Sequence, residues 1–303
     1  MPYIKSIQGS TSDPVNIYYE DTFLGRPVVF IHGWPLSHEM WEYQMNELPN
    51  YGLRCIAYDR RGFGRSGRPW MNYDYDTLAT DLKILLDELD LKDVTLVGFS
   101  MGGGEVVRYL SKFGDKRIYK IVLVSSVVPF MLKTNDNPGG IPQETFDEFA
   151  NKIRDDRPGF LADFGKQFYG VNIINKPVSQ ASLDWSLQLA LQGSPKATLD
   201  CLRSFSTTDF REDLKKINVP TLIIHGSSDK TVPIEGSSQI TATMIEGAVY
   251  KIYEGAPHGL FVTEKEKLNN DLIAFIEGGS LSSETEAMDP TATEAISSVP
   301  YPF

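Results

Sequence analysis

The chain has 303 residues, of which 41% are hydrophobic and 23% are charged. Its length and composition fit one large α/β domain with an insertion, or two domains, and supply enough apolar residues for a sizeable core. The formal net charge is −11 and no cluster of lysine and arginine stands out, which argues against nucleic acid and anionic membrane surfaces as partners.

Signals for secretion, membrane insertion or metal binding are not found in the sequence. Residues 1–20 contain no basic stretch followed by an apolar segment, so we expect no signal peptide. The longest apolar stretch, residues 118–132, is interrupted by polar residues and is too short to span a bilayer. Cys55 and Cys201 have no disulfide or metal-ligand spacing, so we expect a reduced, cytoplasmic compartment and neither metal nor cofactor.

The beginning of the chain predicts strands that lead into a buried sheet. Residues 3–8 and 15–20 mix apolar and polar side chains in alternation, whereas residues 27–31 form a continuous apolar run. This change predicts an antiparallel edge followed by a buried strand. Apolar side chains at helical spacing then predict a helix over residues 37–48, with His38 on its solvated side.

The loop His32-Gly33-Trp34-Pro35-Leu36 joins this buried strand to the helix. We expect His32, which stands directly before a glycine turn, to hold the loop through hydrogen bonds and not to transfer protons.

The next part of the chain alternates strands and helices. Residues 53–58 predict a buried strand, followed by a charged loop in which we expect Asp59 to pair with one or more of the loop arginines. An anion site is the alternative interpretation of these arginines. Residues 73–89 predict an amphipathic helix and residues 118–124 a further buried strand. The alternation predicts an open, largely parallel sheet with helices on both faces.

An apolar strand over residues 94–99 runs directly into Gly98-Phe99-Ser100-Met101-Gly102, and a helix-compatible segment follows. A strand, a sharp turn with Gly-x-Ser-x-Gly and a helix are what a nucleophile elbow requires, with Ser100 at its tip. An ordinary glycine-rich loop is the alternative. If Ser100 is a nucleophile, the backbone N–H groups of Met101 and Trp34 are the expected donors to an oxyanion.

Between residues 126 and 216 the alternation stops and the pattern becomes mostly helical, with breaks such as Arg157-Pro158-Gly159. We interpret this segment as a helical cap inserted into a core of residues 1–125 and 217–277, where it covers Ser100 and excludes water. Residues 278–303 are rich in serine, threonine, glutamate and proline and are expected to be disordered.

An apolar substrate pocket is expected beneath this cap. The side chains expected to line it are Met131, Phe164, Phe168, Trp185, Leu189 and Val232. The alternative for each aromatic residue of the cap is that it only holds the cap helices together.

Strands are predicted again at residues 220–225 and 248–253, before a closing helix at residues 263–276. Asp229 lies in a polar turn after the first of these strands, and His258 lies in a loop after the second.

Ser100, Asp229 and His258 therefore follow one another in an order known for catalytic triads, and we predict that they form one. His225, at the end of a strand, is expected to satisfy backbone groups.

Together these residues resemble the α/β-hydrolase superfamily and, more narrowly, the cofactor-free bacterial haloperoxidase (non-heme chloroperoxidase) and arylesterase family. The resemblance covers about residues 3–276. The motifs that carry it are His32-Gly33-Trp34-Pro35-Leu36, residues 58–66 (Tyr-Asp-Arg-Arg-Gly-Phe-Gly-Arg-Ser), Gly98-Phe99-Ser100-Met101-Gly102-Gly103-Gly104, residues 130–134 and residues 208–214. The segment around residues 181–195 diverges, and the C-terminal tail has no recognised counterpart.

The resemblance implies an α/β-hydrolase fold with a mostly parallel eight-stranded sheet, helices on both faces and an inserted helical cap. It also implies the triad of Ser100, Asp229 and His258, with the backbone of Trp34 and Met101 as oxyanion donors. The implied activity is acyl transfer from small-molecule carboxylic esters, without a cofactor. Water is one acceptor; hydrogen peroxide is the other and gives a peracid that oxidises halide. Pro35 is a candidate for directing a carbonyl toward the peroxide.

Other functions stay open at this point. Amides or lactams are alternative substrates of the same triad, and a ligand receptor with slow turnover is an alternative of another class. Haloalkane dehalogenases and epoxide hydrolases are disfavoured, because both need a carboxylate nucleophile where this chain has Ser100. A homo-oligomer is a further possibility.

Overall fold

An eight-stranded sheet forms the centre of the molecule in the computed structural model, which describes residues 2–7 and 13–278. The strands are β1 (Tyr3–Ser6), β2 (Val15–Asp21), β3 (Arg26–Ile31), β4 (Leu53–Tyr58), β5 (Val94–Phe99), β6 (Ile118–Val124), β7 (Thr221–Gly226) and β8 (Val249–Tyr253). Their order across the sheet is β1-β2-β4-β3-β5-β6-β7-β8. β1 and β2 pair antiparallel to their neighbours and the remaining pairs are parallel, which confirms the predicted mostly parallel eight-stranded sheet.

Ten α-helices connect or flank the described strands. They are α1 (Glu42–Glu47), α2 (Tyr75–Glu88), α3 (Met101–Phe113), α4 (Gln143–Phe168), α5 (Gln180–Gln192), α6 (Pro195–Thr207), α7 (Arg211–Leu214), α8 (Ser238–Met244), α9 (Leu260–Thr263) and α10 (Lys265–Glu277). None of the helices in the described ranges is long and apolar enough to cross a membrane. The tail predicted to be disordered, residues 278–303, lies outside the described residues except for Gly278.

Strand order places the helices on both faces of the sheet. The chain moves from β3 to β4 in one direction and from β4 across β3 to β5 in the other. Because crossovers between parallel strands are right-handed, the two connections lie on opposite faces. The contacts agree, since α2 packs against α3 whereas α1 packs against α10.

The segment between β6 and β7 carries α4, α5, α6 and α7. Helix α4 packs against α5 and α6, and α5 also contacts a short 3-10 helix, His38–Trp41. The predicted break at Arg157-Pro158-Gly159 coincides with a kink within α4, where Asp156 has non-helical dihedral angles (φ −142°, ψ 83°). The Asp156 carboxylate accepts a hydrogen bond from the N–H of Gly159 and so caps the second half of the helix.

The predicted helix over residues 37–48 is more irregular than expected. It consists of the 3-10 helix His38–Trp41, the short helix α1 and a second 3-10 helix, Leu48–Tyr51. The prediction that His38 is solvated was wrong, because its side chain is buried and its Nδ1 lies 2.8 Å from an oxygen of Asp59.

The expected pairing of Asp59 with a loop arginine was also wrong. Besides the His38 ring, its carboxylate accepts hydrogen bonds from the backbone N–H groups of His38 and Arg65. Arg61 pairs instead with Asp81 on α2 through two hydrogen bonds of 2.6 Å. The carboxylate of Asp59 is occupied by backbone donors, which leaves the arginines to other partners.

A buried network around Arg60 holds the loop that follows β3. The Arg60 guanidinium donates to the carbonyl oxygen of His32 at 2.6 Å and forms an ion pair with Glu105 on α3. Tyr58 donates to the second Glu105 oxygen at 2.7 Å. The backbone N–H of Arg60 donates to Nε2 of His32, which confirms that His32 holds the loop through hydrogen bonds. The network therefore ties the ends of β3 and β4 to α3.

Glu105→Ala should lower the free energy of unfolding by about 3–5 kcal/mol, because it leaves the buried Arg60 guanidinium without its carboxylate. Urea denaturation measures the loss. Glu148→Ala is the matched control, since Glu148 pairs with Lys152 on an exposed surface, and we expect a change within about 0.5 kcal/mol. Equal effects of the two substitutions would contradict a structural role for the Arg60 network.

The burial of His32 should lower the free energy of unfolding in mild acid. Burial, reinforced by the positive charge of Arg60, lowers the pKa of His32 from 6.5 to about 3. The unfolded chain therefore binds a proton near pH 6.5 that the folded chain does not bind, and stability falls as the pH drops below that value. Between pH 7 and pH 5, wild type should lose about 1–2 kcal/mol more than His32→Gln in urea titrations. Parallel losses in the two proteins would be evidence against a neutral, buried His32.

Candidate active site

Ser100 forms a strained turn between β5 and α3. Its φ is positive, with φ 53° and ψ −119°, a combination that residues with a side chain rarely adopt, and the residue is 5% exposed. A Cβ atom on Gly98 would lie 2.6 Å from the carbonyl oxygen of Gly102, and one on Gly102 would lie 2.5 Å from that of Ile31. Only glycine fits both positions, so the chain can turn sharply and hold Ser100 at the end of the strand.

The other predicted site residues lie at the same edge of the sheet. Parallel strands end at one edge, and the loops after them lie side by side there. Ser100 follows β5, Asp229 follows β7 and His258 follows β8, while the loop with Trp34 follows β3.

Asp229 and His258 form a buried hydrogen-bonded pair. Nδ1 of His258 lies 2.5 Å from Oδ2 of Asp229. The other carboxylate oxygen accepts hydrogen bonds of 2.8 Å from the backbone N–H groups of Thr231 and Val232. Burial opposes ionisation of Asp229, but the positive charge of His258 and the polar contacts of both His258 and His225 outweigh it and hold the pKa of the carboxyl well below its usual value. Asp229 is therefore a carboxylate at neutral pH.

The second ring nitrogen of His258, Nε2, is buried and has no hydrogen-bond partner among the described residues. The imidazole packs against Phe99, the residue before Ser100, and against Phe168, with ring centroids 4.8 Å away in each case. The hydroxyl of Ser100 does not bond to this nitrogen in the structure. Such bonds commonly tighten only when a substrate is bound, and a free Nε2 is what a general base needs.

Two backbone segments flank Ser100. Helix α3 begins at Met101, so its first N–H groups have no acceptor within the helix. On the other side, a Cβ atom on Gly33 would lie 3.1 Å from Cβ of Ser100, which shows how closely the loop after β3 approaches. Trp34 is held by a 2.9 Å hydrogen bond from its indole to the carbonyl oxygen of Thr198 on α6.

An apolar cavity lies above Ser100, between the sheet edge and the segment that follows β6. Its apolar lining includes Met131, Phe146, Phe149, Phe164, Phe205 and Val232. Met131, Phe164 and Val232 were predicted from the sequence to line the pocket. Phe146, Phe149 and Phe205 were not, although aromatic side chains at helical spacing were a signal that could have identified them.

The structure separates the other three predicted pocket residues from this cavity. Phe168 packs against the His258 ring and faces a neighbouring cavity between α4 and α5. Trp185 lines a third cavity, on the outside of the molecule, beside Tyr43 and Tyr169. Leu189 is buried in the core. Helix α5 packs against α4 and the 3-10 helix His38–Trp41. Its side chains therefore line the two neighbouring cavities and not the cavity above Ser100.

Comparison with known proteins gives consistent results. A family model described as alpha/beta hydrolase fold matches residues 26–265. The chain is 43% identical to the non-heme chloroperoxidase CPO-A1 of Kitasatospora aureofaciens, over 88% of this chain and 98% of that one. It is 41% identical to the bifunctional esterase/perhydrolase DCH of Acinetobacter calcoaceticus, with the same coverage of each chain.

A solved structure is also similar. The bromoperoxidase from Bacillus anthracis superimposes with a TM-score of 0.86 at 46% identity, covering 90% of this chain and 100% of that chain. The chain has a strained serine elbow, a mostly parallel sheet and relatives that match over nearly their whole lengths. It therefore belongs to the α/β-hydrolase family.

Proposed function

We propose that this protein is a serine hydrolase that transfers the acyl group of small carboxylic esters to water, and to hydrogen peroxide when peroxide is present. The observation that carries the proposal is the buried pair of Asp229 and His258. Within the described residues Nε2 of His258 has no hydrogen-bond partner, and the His258 ring packs beside the Ser100 elbow.

In the proposed mechanism, Nε2 of His258 accepts the hydroxyl proton while Oγ of Ser100 attacks the ester carbonyl. Asp229 keeps Nδ1 protonated and stabilises the imidazolium that forms. The imidazolium then gives its proton to the departing alkoxide, which leaves as the alcohol, and an acyl-enzyme remains. Water, activated by the same nitrogen, releases the carboxylic acid and restores Ser100.

The backbone N–H groups of Trp34 and Met101 are the proposed donors to the negative oxygen of the tetrahedral intermediate. Their chain segments flank Ser100, and the N-terminus of α3 favours negative charge. Donors of this kind contribute about 10²–10³ each to the rate. The Arg60 network supports one of them, because it anchors the carbonyl of His32 two residues before Trp34.

The segment of residues 126–216 is the proposed cap over a core of residues 1–125 and 217–277. Its side chains Phe146, Phe149 and Phe164 line the cavity over Ser100. An apolar lining favours uncharged acyl groups over charged ones and excludes water around the reacting atoms.

Peroxide as acceptor is supported by the names of two relatives, a non-heme chloroperoxidase and a bifunctional esterase/perhydrolase. Attack of hydrogen peroxide on the acyl-enzyme releases a peracid and regenerates Ser100. The peracid then oxidises halide outside the site.

Ser100→Ala should lower the rate of p-nitrophenyl acetate hydrolysis by about 10⁴-fold or more, because the nucleophile is lost. Steady-state kinetics measures the change, and circular dichroism checks folding. Ser126→Ala is the control, since Ser126 is also a buried serine near the elbow, and it should stay within a few fold of wild type. Slow single turnover by the wild type would favour the ligand-receptor alternative instead.

Bromination by the purified enzyme should require both hydrogen peroxide and a carboxylic acid or ester, because the peracid is the oxidant. The measurement is halogenation of a phenol indicator with and without acetate, for wild type and Ser100→Ala. Bromination that proceeds equally well without any carboxylate would contradict the peracid route.

A further inference from the structure

His225, the penultimate residue of β7, lies fully buried beside the carboxylate of Asp229. Its Nε2 is 2.9 Å from the carbonyl oxygen of Val232 and 3.1 Å from Oδ2 of Asp229. Its Nδ1 is 2.5 Å from the hydroxyl of Ser238 on α8. The sequence suggested only that this ring satisfies backbone groups, and the contact with Val232 confirms that part.

The partners determine which ring nitrogen carries the proton. A carbonyl oxygen can only accept, so Nε2 of His225 must be the protonated nitrogen. Nδ1 then has a free lone pair, which accepts from the hydroxyl of Ser238. A neutral imidazole in this tautomer satisfies all of these neighbours at once.

This tautomer points an N–H at the loop that carries Asp229. The N–H of Val232 donates to one oxygen of Asp229, while the carbonyl of the same residue accepts from His225. The nitrogen that carries this hydrogen, Nε2, also lies 3.1 Å from Oδ2, the oxygen that bonds to Nδ1 of His258. His225 therefore contacts the carboxylate directly and fixes the turn that holds its other oxygen.

We propose that His225 is a positioning residue, which uses its Nε2–H to hold the Asp229 carboxylate in register with His258 and to moderate its charge. The inference rests on the function proposed above. Without this N–H, the carboxylate has one positive dipole fewer beside Oδ2. The negative charge of the Asp229 carboxylate then acts more strongly on His258 and stabilises the imidazolium form of that ring.

Three titratable or charged side chains of the described residues lie next to Asp229 in space or in sequence. Asp229 contacts His258, on the loop after β8, and His225, on β7. Lys230 follows Asp229 and lines the cavity over Ser100. Replacing His225 therefore changes one of the two imidazoles in contact with the carboxylate and leaves the other ionisable groups in place.

Two substitutions separate positioning from packing. His225→Leu removes the N–H at similar volume, whereas the amide nitrogen of His225→Gln can occupy the place of Nε2. We expect His225→Leu to lower kcat/KM about 10–100-fold and to move the acid limb of its pH profile upward by about one unit. His225→Gln should recover most of the activity and the profile. Ile223→Val, in the same strand, controls for a buried substitution away from Asp229.

Nitrogen NMR of histidine-labelled protein gives a readout that does not need a substrate, and the chain has four histidines to assign. We expect His225 in the Nε2–H tautomer and, in His225→Leu, a shifted resonance of the His258 Nδ1–H that bonds to Asp229. An Nδ1–H tautomer or a cationic His225 would overturn the proposal. So would equal activity loss in the Leu and Gln variants with an unchanged resonance of the His258 Nδ1–H. If wild type shows no esterase activity but these NMR results hold, the proposed function fails while the positioning role stands.

Discussion

The strained backbone of Ser100, with its positive φ, is the constraint on which the rest of the structure depends. A residue with a side chain adopts this conformation at a cost, and it is retained because β5 and α3 are both held in place by packing. The cost also explains the neighbouring glycines, since Gly98 and Gly102 meet other backbone atoms at close range. The result is a hydroxyl fixed at the edge of the sheet where the loops with Asp229 and His258 also lie.

Burial gives that edge its chemistry. A carboxylate placed in an apolar interior would normally take up a proton, but Asp229 stays charged because backbone N–H groups and two imidazoles surround it. The same burial keeps His258 between phenyl rings, with Nδ1 bonded to Asp229 and Nε2 without a hydrogen-bond partner in the part of the chain that the structure describes. Fixed dipoles thus take the place of solvent around the acid and the base, and they need no rearrangement when charge develops.

The loop after β3 depends on a second set of buried charges. Arg60 and Glu105 lose their hydration on folding, a penalty that only good geometry and further hydrogen bonds offset. Tyr58 and His32 supply those bonds. The main effect of these interactions is to position the backbone before Trp34 against the elbow. Their net contribution to stability is smaller, because the lost hydration offsets it.

Much of the architecture could be predicted from the sequence alone. Alternation, apolar runs and Gly-x-Ser-x-Gly depend only on residues that are close in sequence. They therefore predict the strands, the elbow at Ser100 and the loops with Asp229 and His258. The partners of Asp59, the burial of His38 and the distance of Trp185 from the cavity were decided only by the tertiary structure. The physical reason is that several charges and rings compete for each partner, and the choice depends on how helices and loops distant in sequence pack together.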